Sequence, residues 1–255
     1  MENVITRTPH LDSRLERART HFANPSPYLT GNYTISLRAR IVKQLLGKIS
    51  NCRILDLGCG DGTISLQFMA ANNHITLVDS SDGMLERAKR NTPSEFVTQV
   101  DYVHSDIFAF NSNVRFDVVF CIGVLAHVSS TEGAIATVAG HLKSGGRCIF
   151  QITDDSQLIQ KLNRSVYSVR AAIREFLGYS PLKLKRMSLA DVVAIASRNG
   201  LNLVAKQRHR LMLFPGMAEL LGRWLIPYDL FVQDRPSLSR HSEDVILLFE
   251  KIDAQ

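Results

Sequence analysis

Arg53-Ile54-Leu55-Asp56-Leu57-Gly58-Cys59-Gly60-Asp61-Gly62-Thr63-Ile64 decides how the rest of the chain is read. Ile54 to Leu57 is a short apolar run of the kind that fits a buried parallel strand. Glycines follow at alternate positions, Gly58, Gly60 and Gly62, and Thr63, Ile64, Leu66, Phe68 and Met69 then resume at helical spacing. Strand, glycine turn and helix are the opening of a nucleotide-binding βαβ unit. The glycines let the backbone turn tightly and let a ligand approach it without a Cβ in the way. The next strand, Ile75-Thr76-Leu77-Val78-Asp79, ends in an acid. A carboxylate there can accept two hydroxyl protons from a ribose diol.

The glycine frame is not that of a dinucleotide site. G-x-G-x-x-G would need a glycine where Thr63 stands, and the third glycine arrives one residue early. The series Asp56-Leu57-Gly58-Cys59-Gly60-Asp61-Gly62 resembles instead the first motif of the class I S-adenosylmethionine-dependent methyltransferases. Leu142-Lys143-Ser144-Gly145-Gly146 also resembles a motif of that family.

Composition suits one domain with a full core. The chain has 255 residues, 45% of them hydrophobic, and its mean hydropathy is −0.01. No apolar run approaches the ~20 residues of a membrane span. The start, Met1-Glu2-Asn3-Val4-Ile5-Thr6, lacks a signal-peptide core, so the expected location is the cytoplasm. Cys52, Cys59, Cys121 and Cys148 form no C-x-x-C pair, which fits reduced, packed thiols and disfavours a metal site. The net charge is +6. It fits a solvated surface equally with an anionic partner such as RNA, an acidic membrane surface or an acidic carrier protein.

Along the chain, Leu11, Leu15, Ala18 and Phe22 predict an amphipathic helix, broken at Asn24-Pro25-Ser26-Pro27. A second helix is expected from about Ile35 to Gly47. Ser80-Ser81-Asp82 caps a helix carrying Met84, Leu85 and Ala88. Val97 to His104, Phe116 to Cys121 and Arg147 to Thr153 read as strands. Beyond Asp154, Leu158 to Phe176 is a long amphipathic helix. Ser188-Leu189-Ala190-Asp191 reads as a capping box, and the helix it opens stops at Asn199-Gly200. Leu201 to Ala205 and Val245 to Phe249 are the last two strands. Between them Leu211 to Phe231 is densely apolar and holds Trp224, the chain's one tryptophan. Pocket cover, plain core and docking on a membrane or another subunit remain open for it.

The resemblance, carried by Ile54 to Asp154 and Ser188 to Phe249, implies a Rossmann-like α/β fold. Its sheet would have seven strands, mostly parallel, with the last strand antiparallel between the fifth and sixth. The expected organisation is a single domain with an N-terminal helical cover (1–50) and a cofactor-binding core (51–154). Substrate-cover insertions would occupy 155–187 and 211–240. S-adenosylmethionine would bind and leave as S-adenosylhomocysteine. Asp56, Gly58, Cys59 and Gly60 would hold its amino-acid end, and Asp79 the ribose. Ser80 and Met84 would follow on the same edge. Asp106 and Ile107 would hold adenine, and Cys121 and Ile122 would lie beside the methionine part. Tyr28 and Tyr33, in the segment ahead of the first strand, would touch the cofactor or be ordinary half-buried tyrosines.

His127 is the candidate base for a hydroxyl acceptor, since it follows the fourth strand and an imidazole can titrate near neutrality. Asp154 and His104 are alternatives. Val124-Leu125-Ala126-His127-Val128 resembles the quinone-pathway O-methyltransferases. Those usually carry Glu before this His, so Ala126 weakens a metal-bridged or carboxylate-assisted mechanism. Cys121-Ile122-Gly123-Val124 is not the [DNS]-P-P-[YFW] clamp of adenine methyltransferases, and no Pro-Cys nucleophile pair or extra RNA-binding module is visible. A small acceptor, apolar or carrier-bound, is therefore favoured over nucleic acid or protein. A nicotinamide oxidoreductase and a non-catalytic cofactor-binding protein are the readings from other classes. The oligomeric state is not legible.

Overall fold

The computed structural model describes residues 33–70, 72–154, 187–211 and 224–252. The expected helices over 11–22 and 158–176, Tyr28, and positions 212–223 of the apolar insertion lie outside these residues. Among the described residues no helix is long and apolar enough to cross a membrane.

Seven strands form one sheet: β1 (Arg53–Leu57), β2 (His74–Asp79), β3 (Val100–His104), β4 (Phe116–Cys121), β5 (Leu142–Thr153), β6 (Leu201–His209) and β7 (Asp244–Lys251). Their order across the sheet is β3-β2-β1-β4-β5-β7-β6. The contiguous pairs from β3 to β5 are parallel, and β7 runs antiparallel to both its neighbours. This is the α/β sheet that the motif series predicts.

The strands are apolar on both faces, and their pleat sorts side chains into two cores. Leu55, Leu57, Val119, Phe150, Leu247 and Phe249 face one side. There they meet α3 (Thr131–His141) and α4 (Leu189–Arg198) through Ile135, Val138, Val192 and Ala196. Ile54, Ile75, Leu77, Phe120, Ile149 and Leu248 face the other side. Helix α1 (Tyr33–Leu46) covers that face with Leu37, Ile41, Val42 and Leu46, the stripe its periodicity predicts. Helix α2 (Asp82–Asn91) begins at Ser81, whose side chain accepts from the Met84 N–H. Helix α5 (Leu225–Gln233) and the short α6 (Pro236–Ser239) precede β7.

Several expectations are corrected. The helix expected behind the glycine turn is reduced to one turn of 3₁₀ helix at Leu66–Phe68. The Asn73 amide explains the stop. It donates to the carbonyls of Phe68 and Ile49, and its oxygen accepts from Cys52 N–H, so the chain is drawn into β2 at once. β3 begins at Val100 rather than Val97, because Ser94–Gln99 is a 3₁₀ segment. β5 begins at Leu142, so the Gly145-Gly146 turn lies inside its span. Ser188 makes no side-chain cap; the Asp154 carboxylate accepts from Leu189 N–H in its place.

Phe249 is fully buried and meets Phe150 edge-on, with ring centroids 5.8 Å apart. Phe249→Ala should lower unfolding stability by about 3–5 kcal/mol, the usual cost of emptying such a position. Denaturant titration measures it; a loss below about 1 kcal/mol would mean the cavity collapses without cost.

Candidate active site

A cleft opens at the carboxyl ends of β1, β2 and β4, where open α/β sheets bind ligands. Its floor is the glycine turn. The N–H groups of Gly58 and Cys59 both donate to the Val78 carbonyl, at 2.8 and 3.0 Å. Gly60 N–H donates to Asp79 Oδ2 at 2.8 Å, and Ser81 N–H to Asp79 Oδ1 at 2.9 Å. The turn after β1 is thus tied to the end of β2. Gly58 has φ +76°, and a Cβ on it would strike Val124 Cγ2. Only glycine fits there without moving the loop that follows β4.

Most of the residues singled out from sequence converge on this cleft. Gly58, Cys59 and Gly60 form one wall, Asp79, Ser80 and Met84 the next, and Asp106 and Ile107 the far end. Ile122 and His127 close the side formed by the β4 loop. The Asp106 carboxylate folds back on its own turn, accepting from Phe108 N–H at 2.9 Å. Burial raises the Asp79 carboxyl pKa, partly offset by the N–H groups of Gly60 and Ser81.

Three of the described cofactor-site candidates lie elsewhere. Cys121 is fully buried and belongs to the core that contains Leu55 and Val119. The pleat turns Cys121 away from the cleft and presents Ile122 instead. Asp56 lies beneath the turn, only 3% exposed, and does not line the cleft. Tyr33 is also absent from the lining. It packs against Leu225, with its buried hydroxyl near the Asp229 carboxylate, so burial and then that charge raise its pKa. Of the alternative bases, Asp154 is fully buried and paired with Arg208, and His104 is outside the lining, beside Asp82 and the Ser80 carbonyl.

The sequence reading missed Arg38. It comes from α1 and is the one lysine or arginine among the described lining residues. Its Nη1 sits beside Gly123, where a Cβ would be only 3.3 Å away. Its Nε is buried without a hydrogen-bond partner among the described residues. Nothing local marks it, because Arg40 and Lys43 share its helix. The segment from 224 to 240 contributes nothing to the described lining: Leu225 and Val232 are buried, while Trp224 and Phe231 are exposed.

The cleft can therefore hold a molecule with a diol at Asp79, a flat ring near Asp106 and Ile107, and an anionic end near Arg38. A methyltransferase-domain family model matches residues 48–189. The chain is 31% identical to the ubiquinone biosynthesis O-methyltransferase of Rickettsia felis over 136 residues, 52% of each chain. It thus spans about half the length of that relative. The enzyme of the same name from Alkalilimnicola ehrlichii is 28% identical over 190 residues, 69% of this chain and 74% of the relative. Magnesium protoporphyrin IX methyltransferase from Synechocystis PCC 6803, crystallised with S-adenosylhomocysteine, shares the fold. Its TM-score is 0.61 at 16% identity, covering 86% of this chain and 83% of that one.

Burial pushes the Asp56 pKa up from 3.8 to about 7, partly opposed by a hydrogen bond from Ser65. An acid whose folded pKa is raised binds its proton more tightly in the folded state. Its contribution to stability is complete below the unfolded value and disappears as pH rises through the folded one. Between pH 3.8 and about 7, wild-type stability should therefore decline more steeply than that of Asp56→Asn. Parallel pH–stability curves for the two proteins would show that Asp56 is ionised throughout.

Proposed function

The chain belongs to the methyltransferase-domain family, and from that membership we propose that it moves a methyl group from S-adenosylmethionine to a small acceptor. The acceptor atom is oxygen or nitrogen. Both curated relatives are named as O-methyltransferases, which favours a hydroxyl. The observation that carries the reading is the convergence of the glycine turn, Asp79, Asp106 and Arg38 on one cleft.

The residues present fit this cofactor. Gly60, with φ +55° and nothing within 4 Å of where a Cβ would stand, leaves room for the ligand's approach, and the buried Arg38 Nε lacks a hydrogen-bond partner among the described residues. Asp79 would accept from the ribose hydroxyls with the lone pairs that Gly60 and Ser81 leave available. Asp106 would accept from the adenine amino group, with the Ile107 N–H facing the ring. Arg38 would take the methionine carboxylate, the one group of the cofactor that needs a cation.

When bound, S-adenosylmethionine supplies a methyl carbon on a positive sulfur, and its departure needs no acid. The protein must align the acceptor in line with that carbon, keep water away and remove a hydroxyl proton. His127 lines the cleft on a turn closed by its own N–H to the Val124 carbonyl at 2.8 Å. That turn holds the imidazole beside the cleft, where it would accept the acceptor's proton. The reaction would take place in the cytoplasm.

Calorimetry should detect S-adenosylmethionine and S-adenosylhomocysteine but neither NAD nor NADP; preferential nicotinamide binding would overturn the reading. Asp79→Ala should weaken cofactor binding by about 1.5–3 kcal/mol, the scale of charge-assisted hydrogen bonds. Unchanged affinity in a folded variant would place the ribose elsewhere. With a hydroxyl acceptor, His127→Ala should lower kcat about 10²-fold at nearly constant cofactor affinity. An unaltered kcat–pH profile would remove His127 from proton transfer.

A further inference from the structure

Behind Arg38, the ends of β5, β6 and β7 enclose a set of ionic side chains that do not line the cleft. Asp244, the first residue of β7, is fully buried. Its Oδ1 accepts from Thr153 Oγ1 at 2.7 Å. Its Oδ2 lies 3.0 Å from Arg210 Nε and 3.9 Å from both Arg38 Nη2 and His209 Nε2. Other charges there have closer counterparts: Arg210 meets Glu243 at 2.7 Å, and Arg208 pairs with Asp154. Asp244 is the one carboxylate paired with Arg38 among the described residues.

The distance matters. At 3.9 Å the carboxylate attracts the guanidinium but does not accept a hydrogen bond from it. The five N–H donors of Arg38 are not consumed by Asp244, and their direction is set by a charge held within the sheet. Arginine is otherwise a long side chain with much rotamer freedom to lose. The Thr153 hydroxyl and Arg210 in turn hold Asp244. Burial favours the neutral acid, but Arg210, His209 and Arg38 together hold its pKa below the usual carboxylate value. Across the guanidinium stands Gly123, with φ +76° and no side chain to push Arg38 away.

We propose that Asp244 is a positioning residue: it holds the Arg38 guanidinium against Gly123, with its donors directed at the carboxylate of the bound ligand. The proposal rests on the reading of S-adenosylmethionine as that ligand. It makes the carboxylate-binding end of the cleft a joint product of α1 and the distant strand β7. It also predicts a particular selectivity. A nucleoside thioether that lacks the amino-acid chain has nothing for Arg38 to hold, so its binding is indifferent to Asp244.

Two probes separate these cases. S-adenosylhomocysteine carries the carboxylate, and 5′-methylthioadenosine is the same nucleoside thioether without the amino-acid chain. Both are titrated calorimetrically into wild type, Arg38→Met, Asp244→Asn and the double variant. Arg38→Met should weaken S-adenosylhomocysteine about 30-fold or more, and Asp244→Asn about 5- to 10-fold, with 5′-methylthioadenosine changed by less than about 2-fold in each. In the Arg38→Met background, Asp244→Asn should add nothing, because its effect passes through Arg38. If Asp244→Asn does not fold, Thr153→Val removes the hydroxyl that fixes Asp244 and should shift selectivity in the same direction. Equal weakening of both probes would make Asp244 a purely structural residue and overturn the proposal. So would unchanged S-adenosylhomocysteine affinity in a folded Asp244→Asn or Thr153→Val. If wild type binds neither probe, the methyltransferase reading itself fails. If only Arg38→Met is without effect, the cofactor stands and its carboxylate is held elsewhere.

Discussion

The site depends on the hydrogen bonds between the turn after β1 and the end of β2. A glycine-rich turn is the most flexible kind of backbone, and a ligand that had to order it would lose affinity to that ordering. Here the Val78 carbonyl and the Asp79 carboxylate take three N–H groups of the turn, from Gly58, Cys59 and Gly60. Asp79 thus serves the fold, and in the proposed reading it would serve the ligand as well. The same carboxylate also receives the Ser81 N–H at the start of α2, so one side chain sets the relation of turn, strand and helix. The register that brings it there is set below, where β1 and β2 pair from Arg53 with His74 to Leu57 with Val78.

The sheet order determines where the opening falls. From β1 the chain crosses to β2 and β3 on one side, and it returns to β4 on the other. The connections leaving β1 and β4 therefore diverge, and the gap between them is the cleft. Polar groups are distributed along that gap by chemistry. Carboxylates stand on the β2 and β3 side at Asp79 and Asp106 and in the β1 turn at Asp61, and a guanidinium stands on α1 at Arg38. In the proposed reading, a ligand with a diol and a carboxylate would be held in one direction by Asp79 and Arg38.

Legibility followed sequence distance. Gly58, Gly60 and Asp79 could be placed at one edge of the sheet because each sits at or just past the end of an apolar run, whereas Asp106 was placed by the family resemblance. Cys121 and Ile122 are adjacent, and sequence alone left both in the site. Only the pleat, fixed by pairing with β1 and β5, decides that Ile122 faces the cleft. Arg38 was hidden for the opposite reason. It looks like any cation on an amphipathic helix, and what distinguishes it is Asp244, more than two hundred residues away. Tyr33 carried a plausible position but is captured by Leu225, from a segment whose packing no local pattern announces.

The placement of β7 bears on how the chain is made. β7 is interior in the sheet, yet it follows β6 in sequence. As the chain emerges during synthesis, β1 to β5 can pair while β6 still has no neighbour to join. Until β7 arrives, β5 presents an open apolar edge, Cys148-Ile149-Phe150, with unpaired backbone groups on one side. Such an edge is a template for pairing with another chain. The nascent protein is therefore most prone to aggregation in the interval between β5 and β7. β7 enters as a wedge that completes two pairings at once.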